Sequence, residues 1–75
     1  MSVLYLLSSG SSVRKNGGRL VVEKDGDLVA RVPIRMVTSV VVGPLAGATI
    51  PALFACIEEN VPVFFVDRGC HVVGQ

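Results

Sequence analysis

The chain has 75 residues, enough for one domain, and a domain of this size buries only about 60% of its unfolded surface. Its composition is 51% hydrophobic, which indicates that part of its apolar surface is covered by another molecule. Seven Lys and Arg against six Asp and Glu give a net charge of +1, which excludes a strong whole-molecule attraction to nucleic acid or to an anionic membrane. Any basic site must therefore be local.

The first half of the chain predicts strands and tight turns. The continuous apolar run from Val3 to Leu7 predicts a strand that is buried on both faces. Asn16-Gly17-Gly18 and Asp25-Gly26 are typical of hairpin turns, because Asn, Asp and Gly tolerate positive φ. Val13-Arg14-Lys15 before the first turn, residues 19–24 between the turns and residues 28–32 after the second turn form a three-stranded meander that ends at Pro33.

The second hairpin predicts a protomer interface. A two-residue loop at Asp25-Gly26 pairs Lys24 with Asp27, Glu23 with Leu28, Val22 with Val29, Val21 with Ala30 and Leu20 with Arg31. Both faces then carry apolar pairs, so a second copy of the chain is the favoured cover for one of them. The alternative is a sheet enclosed within its own domain. The predicted homodimer interface consists of Leu20, Val21, Val22, Val29 and Ala30.

The second half reads as strand, helix and strand. Thr49 predicts a helix N-cap, and the large apolar residues Ile50, Leu53, Phe54 and Ile57 fall on one helical stripe, while Asn60 ends the helix. The helix lies between a strand at about 37–42 and a strand at about 63–66. We therefore predict an α+β fold, mainly β: a small twisted sheet of hairpins that carries one helix, in a single domain over residues 1–75.

An uncharged stretch from Met36 to Ile57 is long enough to cross a bilayer. As one helix it would be interrupted by Pro44 and Pro51 and would carry several polar groups without partners in lipid. A buried strand, a loop and a buried helix are favoured over a single-span membrane peptide. The short apolar N-terminus lacks basic residues, so it does not read as a secretory signal, and we expect a cytoplasmic protein.

Several blocks in this order resemble the N-terminal β domain of the CRISPR-associated integrase, the Cas-one family of spacer acquisition. They are Leu4-Tyr5-Leu6, Val13-Arg14-Lys15, Arg19-Leu20-Val21-Val22, Val32-Pro33-Ile34, Val40-Val41-Val42-Gly43 and Val61-Pro62-Val63-Phe64-Phe65-Val66 before Arg68-Gly69. The resemblance spans nearly the whole chain and depends on the order and spacing of the blocks.

The resemblance implies a longer protein in which one domain performs catalysis and another performs assembly. In that family a helical domain holds the Glu, His and Asp that bind Mg or Mn for phosphoester displacement. The N-terminal domain forms homodimers and contributes to the surface that holds protospacer DNA, and a second small protein, Cas-two, bridges the dimers for integration into CRISPR repeat DNA. We therefore expect a non-catalytic scaffold without catalytic or metal-binding residues of its own, and no membrane partner.

Four basic residues are candidates for contacts with DNA phosphates. Arg14, Lys15 and Arg19 surround the first turn, and Arg68 lies in the last one. The alternative reading is a solvated hairpin tip.

The other reactive side chains have plain explanations. Cys56, Cys70 and His71 match no zinc pattern and lack a fourth ligand, and the two cysteines favour free thiols over a disulfide framework. Glu58 and Glu59 read as solvent-facing residues at the end of the helix. A stand-alone protein-interaction module, unrelated to CRISPR, remains the alternative function.

Overall fold

The computed structural model describes residues 2–69 and 72–74, with only the backbone of residues 72 and 74. The described elements are β1 (Ser2–Leu6), β2 (Ser11–Asn16), β3 (Arg19–Lys24), β4 (Asp27–Pro33), a 3₁₀ turn (Ile34–Met36), β5 (Val37–Val42), β6 (Gly47–Ala48), α1 (Ile50–Glu58), β7 (Val63–Val66) and β8 (Val72–Gly74). The predicted class, α+β and mainly β, is confirmed. The predictions for Cys70 and His71 lie outside the described residues.

The strands divide between two four-stranded sheets. Sheet A has the order β1-β5-β7-β8, with parallel pairs except between β7 and β8. Sheet B has the order β4-β3-β2-β6, and its strands β2, β3 and β4 form the predicted antiparallel meander. Helix α1 provides the crossover between the parallel neighbours β5 and β7, as the strand–helix–strand pattern predicts.

The hydrophobic core lies between the inner faces of the two sheets and α1. Leu6 and Val40 of sheet A and Leu20 of sheet B are each at most 1% exposed. The buried residues of α1 are Ala52, Ala55 and Cys56. Cys56 is a free thiol, and burial raises its pKa.

Both ends of α1 form as their sequence predicts. The Thr49 hydroxyl accepts a hydrogen bond from the Ala52 N–H at 3.3 Å, which caps the first turn. At the other end Asn60 has a φ of +57°, its N–H donates to the Ile57 carbonyl, and the Val61 N–H donates to the Cys56 carbonyl at 2.8 Å. These two bonds form a Schellman motif, with Asn in the left-handed position that more often holds Gly.

The face that α1 buries differs from the expected one. The stripe of large apolar residues does not enter the core, since Ile50, Phe54 and Ile57 are each more than 60% exposed. The helix instead lies close to β2 and presents small side chains, Ala52 and Ala55, to the interior. A close approach to a sheet favours small side chains, so the period of 3.6 identifies the helix but not its buried side.

Strand β1 also differs from its prediction. It spans Ser2–Leu6, and only one of its faces is buried. Leu4 and Leu6 face the core, whereas Val3 is 40% and Tyr5 67% exposed on the outer face of sheet A. A continuous apolar run is typical of a strand covered twice, but no described element of this chain covers the second face.

The second hairpin has the predicted turn but not the predicted register. Asp25 and Gly26 both have positive φ, as a type I′ loop requires. Lys24 and Glu23 pair with Asp27 and Leu28 as predicted. A β-bulge then leaves Val29 without a partner, so the remaining pairs are Val22 with Ala30, Val21 with Arg31 and Leu20 with Val32. The predicted pairs beyond Glu23 are wrong by one residue, because sequence patterns do not reveal a bulge.

Within the described ranges, no helix has the length and apolar character that a membrane crossing requires.

Candidate nucleic-acid interface

The outer face of sheet B carries a group of arginines, Arg14, Arg19 and Arg31, hereafter the arginine cluster. Arg14 and Arg31 pair with Val21 from either side, and Arg19 lies two residues before Val21 on the same face of β3. All three arginines are exposed. The meander therefore places three cations on one face of a rigid sheet.

Val21 shows how the arginine cluster is packed. It lies outside the main core on the outer face, and yet it is 0% exposed. Its cross-strand neighbours are Arg14 and Arg31, whose aliphatic stems can cover a side chain while their guanidinium groups stay in water. The two arginines thus flank a buried valine, one on each neighbouring strand.

The charges of the cluster are only partly compensated. Arg14 Nε donates to Glu23 Oε1 at 3.1 Å, in an exposed ion pair. Arg19 and Arg31 make no side-chain hydrogen bond or ion pair with any residue that the structure describes. They line a cleft of about 380 Å³ together with Asn16, Gly17, Gly18 and Val21. Two unpaired guanidinium groups beside a glycine turn suit the oxygens of a phosphate.

The structure distributes the four basic residues predicted for DNA contact over three places. Arg14 and Arg19 belong to the arginine cluster. Lys15 pairs with Leu20 on the opposite face of sheet B, where it lines a second cleft of about 580 Å³ that Arg19 also borders and that has Arg35, Glu58 and Glu59 among its walls. Arg68 is exposed in the turn after β7, in sheet A. A role of these residues in DNA binding stays a prediction.

Sequence reasoning missed Arg31. The predicted register paired Arg31 with Leu20, which would place it on the inner face, whereas the bulge at Val29 turns it to the outer face beside Val21. The only available signal was the charge itself, because an arginine rarely enters a small apolar core.

The five residues predicted for the homodimer interface have different surroundings. Leu20 and Val21 are 0% exposed, so their own chain already covers them. Val22 and Ala30 are half-buried, and Val22 packs against the core. Val29, the bulge residue, is 61% exposed. The interface itself stays a prediction.

The residues present do not fit the divalent metal that the resemblance implies for the longer proteins. Across residues 2–69 and 72–74, no three His, Cys, Asp or Glu side chains lie close enough to hold an ion. Glu23 is engaged by Arg14, and Glu58 and Glu59 are exposed at the end of α1. No step through a metal can be assigned to this chain's described residues.

The fold and the arginine cluster define a small α+β domain with a basic sheet face, and comparisons with known proteins give its family. The model of the family "CRISPR associated protein Cas1" matches residues 4–75. CRISPR-associated endonuclease Cas1 1 of Thermus thermophilus is 39% identical over 62 residues, which cover 83% of this chain and 20% of that protein. The chain belongs to the Cas1 family, and it spans about a fifth of the length of this curated relative.

Solved structures share the fold. One chain of a partial Cas6-RT-Cas1–Cas2 complex superposes with a TM-score of 0.89 at 23% identity, over 97% of this chain and 22% of that one. A TtCas1–DNA complex gives a TM-score of 0.75 at 21% identity, over 95% of this chain and 24% of that one. At these identities the likeness shows the fold alone.

Proposed function

We propose that this chain is a non-catalytic scaffold of CRISPR spacer acquisition, which forms homodimers and holds protospacer DNA by its phosphate backbone. Family membership supports the setting, because the curated relative is an endonuclease and related structures include a complex with Cas2 and a complex with DNA. The DNA-holding role depends on one observation: Arg19 and Arg31 carry unpaired charges on the same sheet face. Catalysis and the bridging by Cas2 are assigned to the longer family proteins.

The arginine cluster is suited to holding DNA without reading its sequence. Guanidinium groups on a sheet face reach phosphates, and phosphate contacts position a duplex but carry no base information. Each phosphate that an arginine neutralises releases counterions, so affinity should fall steeply with salt. Arg14 should contribute less than Arg19 and Arg31, because Glu23 competes for it at 3.1 Å.

The test is a salt titration of duplex DNA binding by fluorescence anisotropy. We expect Arg31→Gln and Arg19→Gln each to lower the slope of log K against log salt by roughly 0.9, the value for one lost phosphate contact. Lys24→Gln makes the same charge change at an exposed residue that lines neither cleft, and it should leave the slope unchanged. Equal losses from all three variants would show a response to net charge only and would contradict the proposed face.

A charge variant of opposite sign sharpens the test. Glu23→Gln releases Arg14 from its ion pair, so DNA binding should tighten and the slope should steepen. An unchanged slope would exclude Arg14 from the interface. In the same samples, with Mg²⁺ or Mn²⁺ added, we expect no cleavage of the duplex on a denaturing gel, and cleavage that survives repurification would overturn the non-catalytic assignment.

A further inference from the structure

The two longest free edge strands of the described sheets differ in how strongly they resist pairing with a strand of another chain. Strand β4 is the edge of sheet B, and it contains Asp27, Arg31, Pro33 and the bulge at Val29, all of which oppose edge-to-edge association. Strand β1 is an edge of sheet A, and it has no charge and no proline. The first charged residue of the chain is Arg14. By this criterion β1 is an open edge and β4 a protected one.

The backbone of β1 shows which of its groups are available. The Leu6 carbonyl accepts from the Gly43 N–H at 2.8 Å, so Leu6 directs its backbone groups toward β5. Backbone direction alternates along a strand, so Leu4 also points toward β5, while Val3 and Tyr5 point away from the sheet. Within the described residues, no backbone hydrogen bond satisfies the outward groups of Val3 and Tyr5. These groups are donors and acceptors for another strand.

We propose that β1 pairs antiparallel with β1 of a second copy of this chain, about a two-fold axis that passes between the two copies of Leu4. In this register Val3 of one copy lies opposite Tyr5 of the other. Both residues direct their backbone groups outward, so the two Val3–Tyr5 pairs are hydrogen-bonded pairs that each exchange two N–H···O bonds. The two sheets A then become one continuous sheet. This proposal deepens the homodimer of the proposed function and rests on it.

The side chains favour the same register. Val3 and Tyr5 are 40% and 67% exposed on one face, so each Val3 contacts the Tyr5 of the other copy. Pairs of a β-branched and an aromatic residue are favourable across antiparallel strands. Tyr5 also continues a lateral row with Val41 and Phe64 on the outer face of sheet A. Pairing therefore covers the end of this apolar row that lies at the edge of the sheet.

A second copy is the occupant because this edge is complementary to itself. An antiparallel pair of identical strands satisfies a two-fold axis, and an uncharged strand meets its own copy without repulsion. The contact is short, since β1 has 5 residues, so the interface is smaller than the roughly 800 Å² per partner of a standard complex. We therefore expect a dimer that dissociates on dilution.

Hydrogen exchange followed by NMR tests the proposal on the 75-residue chain. Between low micromolar and about millimolar concentration, exchange of the Val3 and Tyr5 amides should slow by roughly tenfold or more, whereas the Leu4 amide, already bonded toward β5, should change little. Sedimentation velocity on the same samples should show a shift from monomer to dimer. A monomer throughout, or a dimer without slower exchange at Val3 and Tyr5, would overturn the proposal.

Charge variants locate the interface. Tyr5→Lys and Val3→Lys each place a charge on the edge and should keep the chain monomeric at concentrations where the parent dimerises. Val29→Lys makes a matched change at the most exposed residue of the hairpin interface predicted from sequence, which competes with β1, and Ile57→Lys does so on α1. Circular dichroism confirms that each variant is folded. Loss of the dimer with Val29→Lys or Ile57→Lys, but not with either β1 variant, would refute the β1 interface.

The experiments distinguish a failure of the β1 pairing from a failure of the proposed DNA-holding function. A chain that binds DNA with the expected salt slope but dimerises through another surface contradicts only the β1 pairing. A chain that dimerises through β1 but binds no DNA contradicts only the role of the arginine cluster.

Discussion

Sheet A and sheet B each have an apolar inner face, but their outer faces differ in charge and exposure. Strands β1, β5 and β7 of sheet A contain no charged residue, whereas β2, β3 and β4 of sheet B carry arginine, lysine, aspartate and glutamate. On the outer face of sheet B, Val21 is fully covered between two arginines, while on the outer face of sheet A Tyr5 is 67% exposed. Sheet B is complete within the chain, and sheet A has the composition of a sheet that is covered by another molecule.

The largest expected effect tests the shared core. Leu20→Ala in sheet B and Leu6→Ala in sheet A each remove a side chain that is at most 1% exposed, and each should lower the free energy of unfolding by about 2–5 kcal/mol. Urea denaturation measures the change, and Leu28→Ala, at 50% exposure, is the matched control with a small effect. A small effect of either core variant would mean that the two sheets do not share one core.

A smaller loss of stability is expected from substitutions that compare the outer faces of the two sheets. Val21→Ala should cost about 2 kcal/mol, because it removes two buried methyl groups beneath the arginine stems. Val3→Ala makes the same change on the outer face of sheet A and should cost roughly 0.5 kcal/mol at concentrations where the chain is monomeric. Equal costs, again by urea denaturation, would remove the distinction between a covered and an uncovered face.

The buried thiol between the sheets predicts a pH dependence. An ordinary thiol has a pKa of about 8.5, and burial raises that of Cys56 in the folded chain. Above about pH 8.5 the unfolded thiol ionises first, so the unfolded state binds fewer protons and the free energy of unfolding falls, by at most about 1.4 kcal/mol per pH unit, until the pH exceeds the raised pKa.

Below the ordinary thiol pKa this contribution is fully present. Urea denaturation between pH 7 and 10 should therefore show a steeper loss of stability for the parent than for Cys56→Ala, which lacks the group. Parallel curves for the two proteins would show that Cys56 ionises as readily in the folded chain as in the unfolded one.

The smallest expected effect concerns the link between the sheets. Thr49 caps α1, the crossover of sheet A, and its N–H also donates to the Val13 carbonyl of β2 in sheet B at 3.0 Å. Thr49→Ala should cost about 1 kcal/mol in thermal or urea unfolding, while Thr49→Ser keeps the capping oxygen and should retain most of the stability. An equal loss in both variants would assign the effect to the methyl group instead of the cap.

Local signals were sufficient for much of this fold. The Asp25-Gly26 turn, the Thr49 cap and the Asn60 stop are each set by neighbouring residues, and the structure confirms them. The partition into two sheets was not predictable, because the parallel pairing of β1 with β5 joins segments that are far apart in sequence. Which side of α1 is buried depends on its distance from β2, which no periodicity encodes.

The candidate site could be predicted only in part, because local signals place some of its residues and strand register places the others. Arg14 and Arg19 flank a recognisable hairpin turn, so sequence alone brings them together. Arg31 joins them only through the bulge at Val29, and a single unpaired residue leaves no reliable mark in the sequence of an antiparallel strand.

That unpaired residue determines where β4 can change in length. Deletion of Val29 would close the bulge and leave Leu28 opposite Glu23 and Arg31 opposite Val21, so Arg31 would stay on the outer face. Loss of one residue between Arg31 and Pro33 would instead move Pro33 to the inner face, opposite Leu20. An alignment of β4 across close homologues should therefore show one-residue gaps only at or beside Val29.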